Sequence, residues 1–290
     1  MMRTRSWTEV TAGTGLSRRS LLAGILAGSA VRVSSSRAGT VSKPNGLSIQ
    51  RLAWAGIKLE AGGVAVFIDA SAPDPASGAA GPALASSAAR SFALVTHHHG
   101  DHCDPLALKP VLGSNGYMVA HEDVSKLFDH QGVTVQTVSL YEPVFLSRSG
   151  GEFVAWCVPA VDGLGSPQVS WIVDGGGRRI IHCGDTLWHG RWWDFVRAYG
   201  PFDAAFLPIN GMRQQVGRYT DVTQPMSLTP EQAVSAARIL KPRTVIPIHY
   251  GSQNEPGYLE ESDAEGRFLR GVTAAQLACK VLKPGDTVAL

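Results

Sequence analysis

An α/β domain is what this sequence predicts, on three observations. Short apolar runs recur along the chain and are bounded by glycine, proline and turn residues, as buried strands are. Between them lie helical stretches with recognisable starts, such as Thr229-Pro230-Glu231-Gln232, a capping box with proline at the first helical position. Acidic and histidine residues gather where apolar runs end, so the chemistry sits at strand ends and not on helix faces.

The first 38 residues read as an address. Ser17-Arg18-Arg19-Ser20-Leu21-Leu22 leads into an apolar stretch of small residues that ends near Arg32. Paired arginines before such a stretch match a twin-arginine export signal, and the stretch is too short to span a bilayer. Ser36-Arg37-Ala38 supplies small residues for cleavage, which makes 39–46 a linker and 47–290 the working domain. The whole chain has 26 basic and 24 acidic residues. Six arginines and one glutamate fall within 1–38, so the remainder carries 20 basic against 23 acidic residues. The excess of basic charge belongs to the signal, and no electrostatic case for nucleic acid remains. No other stretch is long and apolar enough for a membrane span. The expected partner is a small-molecule substrate.

From Leu47, three short strands are expected, broken at Ala55-Gly56 and Gly62-Gly63, the last ending at Asp69. Residues 71–90, rich in Ala, Ser, Gly and Pro, read as a surface loop with a weak helix near its end. Then comes the stretch that organises the chain, Phe92-Ala93-Leu94-Val95-Thr96 followed by His97-His98-His99-Gly100-Asp101-His102-Cys103-Asp104. On an extended backbone His97 and His99 project to one side. Asp101 and His102 follow the turn, and Asp104-Pro105 is a helix start. Imidazole and carboxylate are donors that suit Zn²⁺, Mn²⁺ or Fe²⁺.

Next are expected a strand at 117–120, a helix over 122–130, a strand within 132–140 and another over 152–159. Val169–Val173 and Arg179–Ile181 should form a hairpin across Asp174-Gly175-Gly176-Gly177. Its second strand runs into His182-Cys183-Gly184-Asp185-Thr186. Strand alternation puts His182 and Asp185 on opposite faces, so His182 reads as core or as a support behind the ligands. Trp192, Val196 and Tyr199 share a helical face that packs on the sheet. Trp188, His189 and Tyr250, adjacent in sequence to Asp185 or His249, are the candidates for substrate contact. A strand within 201–211, the capped helix from Thr229, the strand Thr244–Ile248 ending in His249, and a closing helix and strand complete the chain. Cys103, Cys157, Cys183 and Cys279 show no CxxC spacing and read as buried free thiols.

The pattern His-x-His-x-Asp-His at His97, His99, Asp101 and His102 resembles the signature of the metallo-β-lactamase superfamily. Gly184-Asp185-Thr186 and Pro247-Ile248-His249-Tyr250-Gly251 resemble its later landmarks, in the right order and each after a strand. The branch looks like that of L-ascorbate-6-phosphate lactonase and N-acyl-phosphatidylethanolamine phospholipase D. The resemblance implies a four-layer αβ/βα sandwich with two divalent metal ions at the strand ends, zinc foremost and manganese or iron as alternatives. It assigns His97, His99, Asp101, His102, Asp185 and His249 to the metals, Asp185 as the bridge and Asp101 also as a proton carrier. Asp69 is expected to be a structural hydrogen-bond partner. Where the family has Pro-Ala-x-His, this chain has Pro159-Ala160-Val161-Asp162, so Asp162 stands in the place of an imidazole. The implied activity is hydrolysis of an ester, lactone or phosphodiester by a metal-bound hydroxide. A metal-binding protein whose catalysis is weakened by Asp162 is the competing reading, and an iron oxidoreductase on the same scaffold is a third.

Overall fold

The computed structural model describes residues 46–73, 80–146, 153–215, 223–251 and 257–290. Residues 1–38, on which the expectation of an export signal falls, most of the expected linker, and residues 74–79 of the Ala/Ser/Gly/Pro stretch lie outside the described residues.

Fifteen strands and five helices are described. The first half contributes β1 (Ser48–Arg51), β2 (Ile57–Ala61), β3 (Val64–Ile68), β4 (Arg90–Val95), α1 (Pro105–Leu112), β5 (Tyr117–His121), α2 (Glu122–Ser125) and β6 (Val135–Val138). The second contributes β7 (Pro143–Phe145), β8 (Phe153–Pro159), β9 (Val169–Gly175), β10 (Arg178–His182), α3 (Trp192–Tyr199), β11 (Ala204–Pro208), β12 (Arg213–Gln214), α4 (Pro230–Leu240), β13 (Thr244–Ile248), β14 (Tyr258–Leu259), α5 (Ala264–Ala274) and β15 (Thr287–Ala289). One seven-stranded sheet runs β15-β1-β2-β3-β4-β5-β6, a six-stranded sheet runs β13-β11-β10-β9-β8-β7, and β12 pairs with β14. Strands β3, β4, β5 and β6 run parallel to one another, as do β10, β11 and β13.

The layering follows from strand alternation. On β4, Phe92 and Leu94 face the other sheet while Ala93 and Val95 face α1 and α2. On β11, Ala204 and Phe206 point into the inter-sheet core and Ala205 and Leu207 toward α3, α4 and α5. A strand covered on both faces must be apolar at every position. Hence β3 and β11 are buried throughout. Helix, sheet, sheet, helix is the resulting order, the αβ/βα sandwich expected from the sequence.

Several local expectations are met for the reasons given. The hairpin turns at Gly176 and Gly177, both at positive φ (57° and 73°), which glycine adopts without strain. Thr229 and Gln232 exchange hydrogen bonds in a capping box that opens α4. Cys103, Cys157 and Cys183 are buried and all four cysteines are free. The helix expected over 122–130 is shorter and stops at Ser125. His130 Nε2 reaches Ser125 O at 3.1 Å, and Asp129 accepts from Gln131 N at 3.0 Å, so side chains take over the turn. No helix forms within the described part of 71–90, and the short strands β7 and β14 were not anticipated.

His182 closes β10 inside the core. Its Nδ1 accepts from Gly184 N at 3.2 Å and its Nε2 donates to Ala55 O at 2.8 Å, which fixes a neutral tautomer. Burial pushes its pKa down to about 4, against the pull of Asp69. Unfolded histidine takes up a proton below about pH 6.5, whereas folded His182 refuses it until about 4. Stability is therefore lost as pH falls through this window. Urea midpoints of metal-free protein measured between pH 7 and 4 should decline with acid. His182→Gln should show a shallower decline, and an unchanged slope would remove His182 from the account.

Candidate metal centre

The proposed ligands leave carboxyl ends of strands from both sheets. His97, His99, Asp101 and His102 follow β4, Asp162 follows β8, Asp185 follows β10 and His249 follows β13. They form two sets. His97, His99, Asp162 and Asp185 each offer an atom within 4.8 Å of the others, and so do Asp101, His102 and His249. Asp185 stands between the sets, with Oδ1 3.7 Å from His97 Nδ1 and Oδ2 4.0 Å from His102 Nε2.

Asp162 is built to hold its place. Its Oδ1 accepts from the N–H groups of Leu164 (2.7 Å) and Ser166 (2.9 Å), leaving Oδ2 3.8 Å from His99 Nδ1. Gly163 lets this loop lie against Met226, because a Cβ there would come within 2.3 Å of the Met226 carbonyl oxygen. Gly165 follows at φ 86°, so the chain turns back where side chains resist.

Asp69, fully buried at the end of β3, supports the site from beneath. Oδ1 accepts from Thr96 N at 2.9 Å, and Oδ2 accepts from Thr96 Oγ1 at 2.7 Å and from His102 Nδ1 at 2.8 Å. With Nδ1 donating, His102 turns Nε2 toward Asp101 at 3.3 Å without forming a hydrogen bond. Burial alone would lower the His102 pKa, but Asp101 and Asp69 outweigh it and hold the imidazole well above its ordinary value. His97 goes the other way. Burial, only partly opposed by Asp185, takes it to about 4. Asp69, Asp101 and Asp185 are held below the usual carboxylate range despite burial, because histidines face each of them.

Whether a metal fits can be judged from these donors. His97 Nε2, His102 Nε2 and His249 Nδ1 are buried with no hydrogen-bond partner among the described residues. Buried polar atoms are seldom left so. Aspartate and imidazole converging with unpaired nitrogens form a donor set suited to a divalent first-row ion. Such an ion would displace the proton that His102 otherwise keeps.

A cleft of about 570 Å³ opens over the site. His99, Asp101, Asp185 and His249 line it, together with Trp54, Met212, Gln214 and Tyr258. The residues expected to contact substrate are elsewhere. Trp188 lies 6.1 Å from Trp192, and His189 stacks on Trp192 at 4.1 Å, both on the α3 side of the sheet. Tyr250 packs against the core beneath α3, α4 and α5. Nearness to Asp185 or His249 in sequence did not set the direction of these side chains. Trp54 and Tyr258 take the wall instead, and neither lies in a motif that could have marked it.

Asp69→Asn leaves one acceptor oxygen where Asp69 has two, so the amide sets a donor against either Thr96 N or His102 Nδ1 and one of the two holds on the ligand-bearing loop is lost. Divalent metal affinity, measured against a chromophoric chelator, should fall about 10–100-fold, as loss of an outer-sphere partner does. Unchanged affinity would leave Asp69 a purely structural role.

Known proteins bear on this site. Residues 65–250 match the model of the beta-lactamase superfamily domain. A metal-dependent hydrolase of Thermococcus kodakarensis is 33% identical over 205 residues, covering 68% of this chain and 80% of its own. Igni18, a metallo hydrolase from Ignicoccus hospitalis, superposes with a TM-score of 0.64 at 20% identity over 84% of this chain and 98% of that one. CmlA, a diiron beta-hydroxylase from Streptomyces venezuelae, shares the fold with a TM-score of 0.64 at 14% identity, over 85% of this chain and 55% of that one. This chain belongs to the metallo-β-lactamase superfamily, among its metal-dependent hydrolases.

Proposed function

We propose that the protein is an exported hydrolase that cleaves an ester, lactone or phosphodiester with the help of two divalent ions, zinc before manganese or iron. The observation that carries this reading is the pair of donor sets facing one cleft, with Asp185 between them. Two ions held there would polarise the scissile carbonyl or phosphoryl group and make water a nucleophile at neutral pH.

The chain's own residues supply the rest. Asp185 Oδ1 faces the His97 set and Oδ2 faces His102, the arrangement a bridging carboxylate needs. Asp101 is the ligand candidate with most solvent access, its side chain 37% exposed toward the cleft. Its Oδ2 can accept a proton from the attacking water and pass it to the leaving group. Asp162 favours the hydrolase over a catalytically weakened metal binder. Its loop contacts use one oxygen and leave the other for the site. The export half of the proposal rests on Arg18, Arg19 and the small-residue stretch after them.

Asp162→Ala should empty the His97–His99 side, abolish hydrolysis and weaken metal binding by more than the ~10–100-fold typical of an outer-sphere loss. Asp162→His should keep the metal. Element analysis after gel filtration reads both, and an Asp162→Ala protein with full metal content and rate would return the residue to a loop role. In the same assay Asp185→Asn should lower metal at both sites and His249→Ala mainly at one. If Asp185→Asn keeps its full content, it is not the bridge.

Export is tested separately. Changing Arg18 and Arg19 to lysine should retain the protein in the cytoplasm of a host with a twin-arginine system. Secretion at the parental level would rule that route out.

A further inference from the structure

Trp54 is presented to the cleft by an unusually constrained turn between β1 and β2. It sits at φ 50°, a conformation bulky residues rarely adopt. The turn around it is fastened on every side. Leu52 N donates to Gly56 O at 2.8 Å, and Gly56 N to Ala53 O at 2.7 Å. The buried Arg51 donates Nη1 to both Leu52 O (3.1 Å) and Gly56 O (3.0 Å). His249 N reaches Trp54 O at 3.3 Å, and His182 Nε2 holds Ala55 O at 2.8 Å. So much bracing for a half-buried tryptophan points to a position fixed for a ligand and not for the core.

The ring of Trp54 lies 5.3 Å from that of His249 and meets Tyr258 edge-on at 6.1 Å. Tyr258 is fixed in turn, its hydroxyl accepting from Asn210 Nδ2 at 2.7 Å. Met212 and Leu164 complete the apolar lining.

We infer that the Trp54–Tyr258 corner binds an uncharged, apolar arm of the substrate next to the bond that is cut. The inference rests on the hydrolase reading above and narrows it. An aryl or branched alkyl group against Trp54 lies one ring away from His249, so the scissile group is carried to the floor where the ligands converge. The aromatic surface gives affinity through stacking.

Two slowly hydrolysed probes test this on zinc-loaded, full-length protein by calorimetry. N-phenylhexanamide carries an aryl group and a hexanoyl chain, and N-methylacetamide presents the same amide without an apolar arm. The anilide should bind at least about tenfold more tightly. Trp54→Ala should weaken the anilide about tenfold with zinc content unchanged, and Trp54→Phe should restore most of the loss. With phenyl hexanoate, Trp54→Ala should raise KM far more than it lowers kcat. Equal binding of the two amides, or equal binding of the anilide by parent and Trp54→Ala, overturns the proposal. If the anilide binds as expected while no ester, lactone or phosphodiester is turned over, the corner stands and the hydrolase reading falls.

Discussion

Everything at the strand ends depends on keeping Asp69 ionised in a place without water. A bare carboxylate in such a setting would cost many kcal/mol or take a proton. Thr96 N, Thr96 Oγ1 and His102 Nδ1 all donate to it within 3 Å, and the charge and hydrogen bond of His102, with His182 and His97 nearby, reverse the effect of burial. The consequence runs outward. Because Asp69 claims Nδ1 of His102, only Nε2 remains for the site, and because it also claims Thr96, the backbone entering His97 is fixed in direction. A buried ion pair is weak evidence for stability on its own. Here its role is orientation.

The same constraint explains why the donors are asymmetric in charge. His97 is driven neutral by burial, while His102, between Asp69 and Asp101, is driven cationic. A lone pair is thus ready on one side of the site and masked by a proton on the other. Metal and proton compete for His102, so the affinity of the site must fall with acid. Asp162 stands where the resembled family pattern has an imidazole, and one of its two oxygens is taken up by the backbone of its own loop.

Much of this was legible in the sequence where short-range pattern and chemistry coincide. His97 to His102 could be read because the ligands are contiguous and follow an apolar run. Asp185 and His249 could be read through the resemblance of Gly184-Asp185-Thr186 and Pro247-Ile248-His249-Tyr250-Gly251 to family landmarks, each following an apolar strand. His182 was assigned to the core or to a support behind the ligands from parity alone, and it lies in the core. The cleft wall was not legible. Trp54 and Tyr258 are about 200 residues apart in sequence, and only the pairing of β12 with β14 and the turn after β1 bring them together. Trp188 and His189 misled because the chain reverses after Asp185, where Leu187 N bonds to Val161 O at 2.8 Å and the aromatic rings swing toward α3. The end of α2 escaped notice because it is set by side-chain hydrogen bonds from Asp129 and His130, which hydrophobic spacing does not report.

The two donor sets draw on both sheets, and that has a bearing on how the molecule is assembled. His97 and Asp185 are 88 positions apart and His102 and His249 are 147, and neither set can exist until β4 has met the other sheet, at β8 and β10 for the first set and at β13 for the second. Contacts of such separation form late, after the loop-closure entropy between them has been overcome. An ion cannot then serve as the seed of this fold. It is a reward for the finished chain, recognising the native state alone and shifting the balance toward it by mass action. The ion acts less as a nucleus than as a latch, closed between two sheets that have already met.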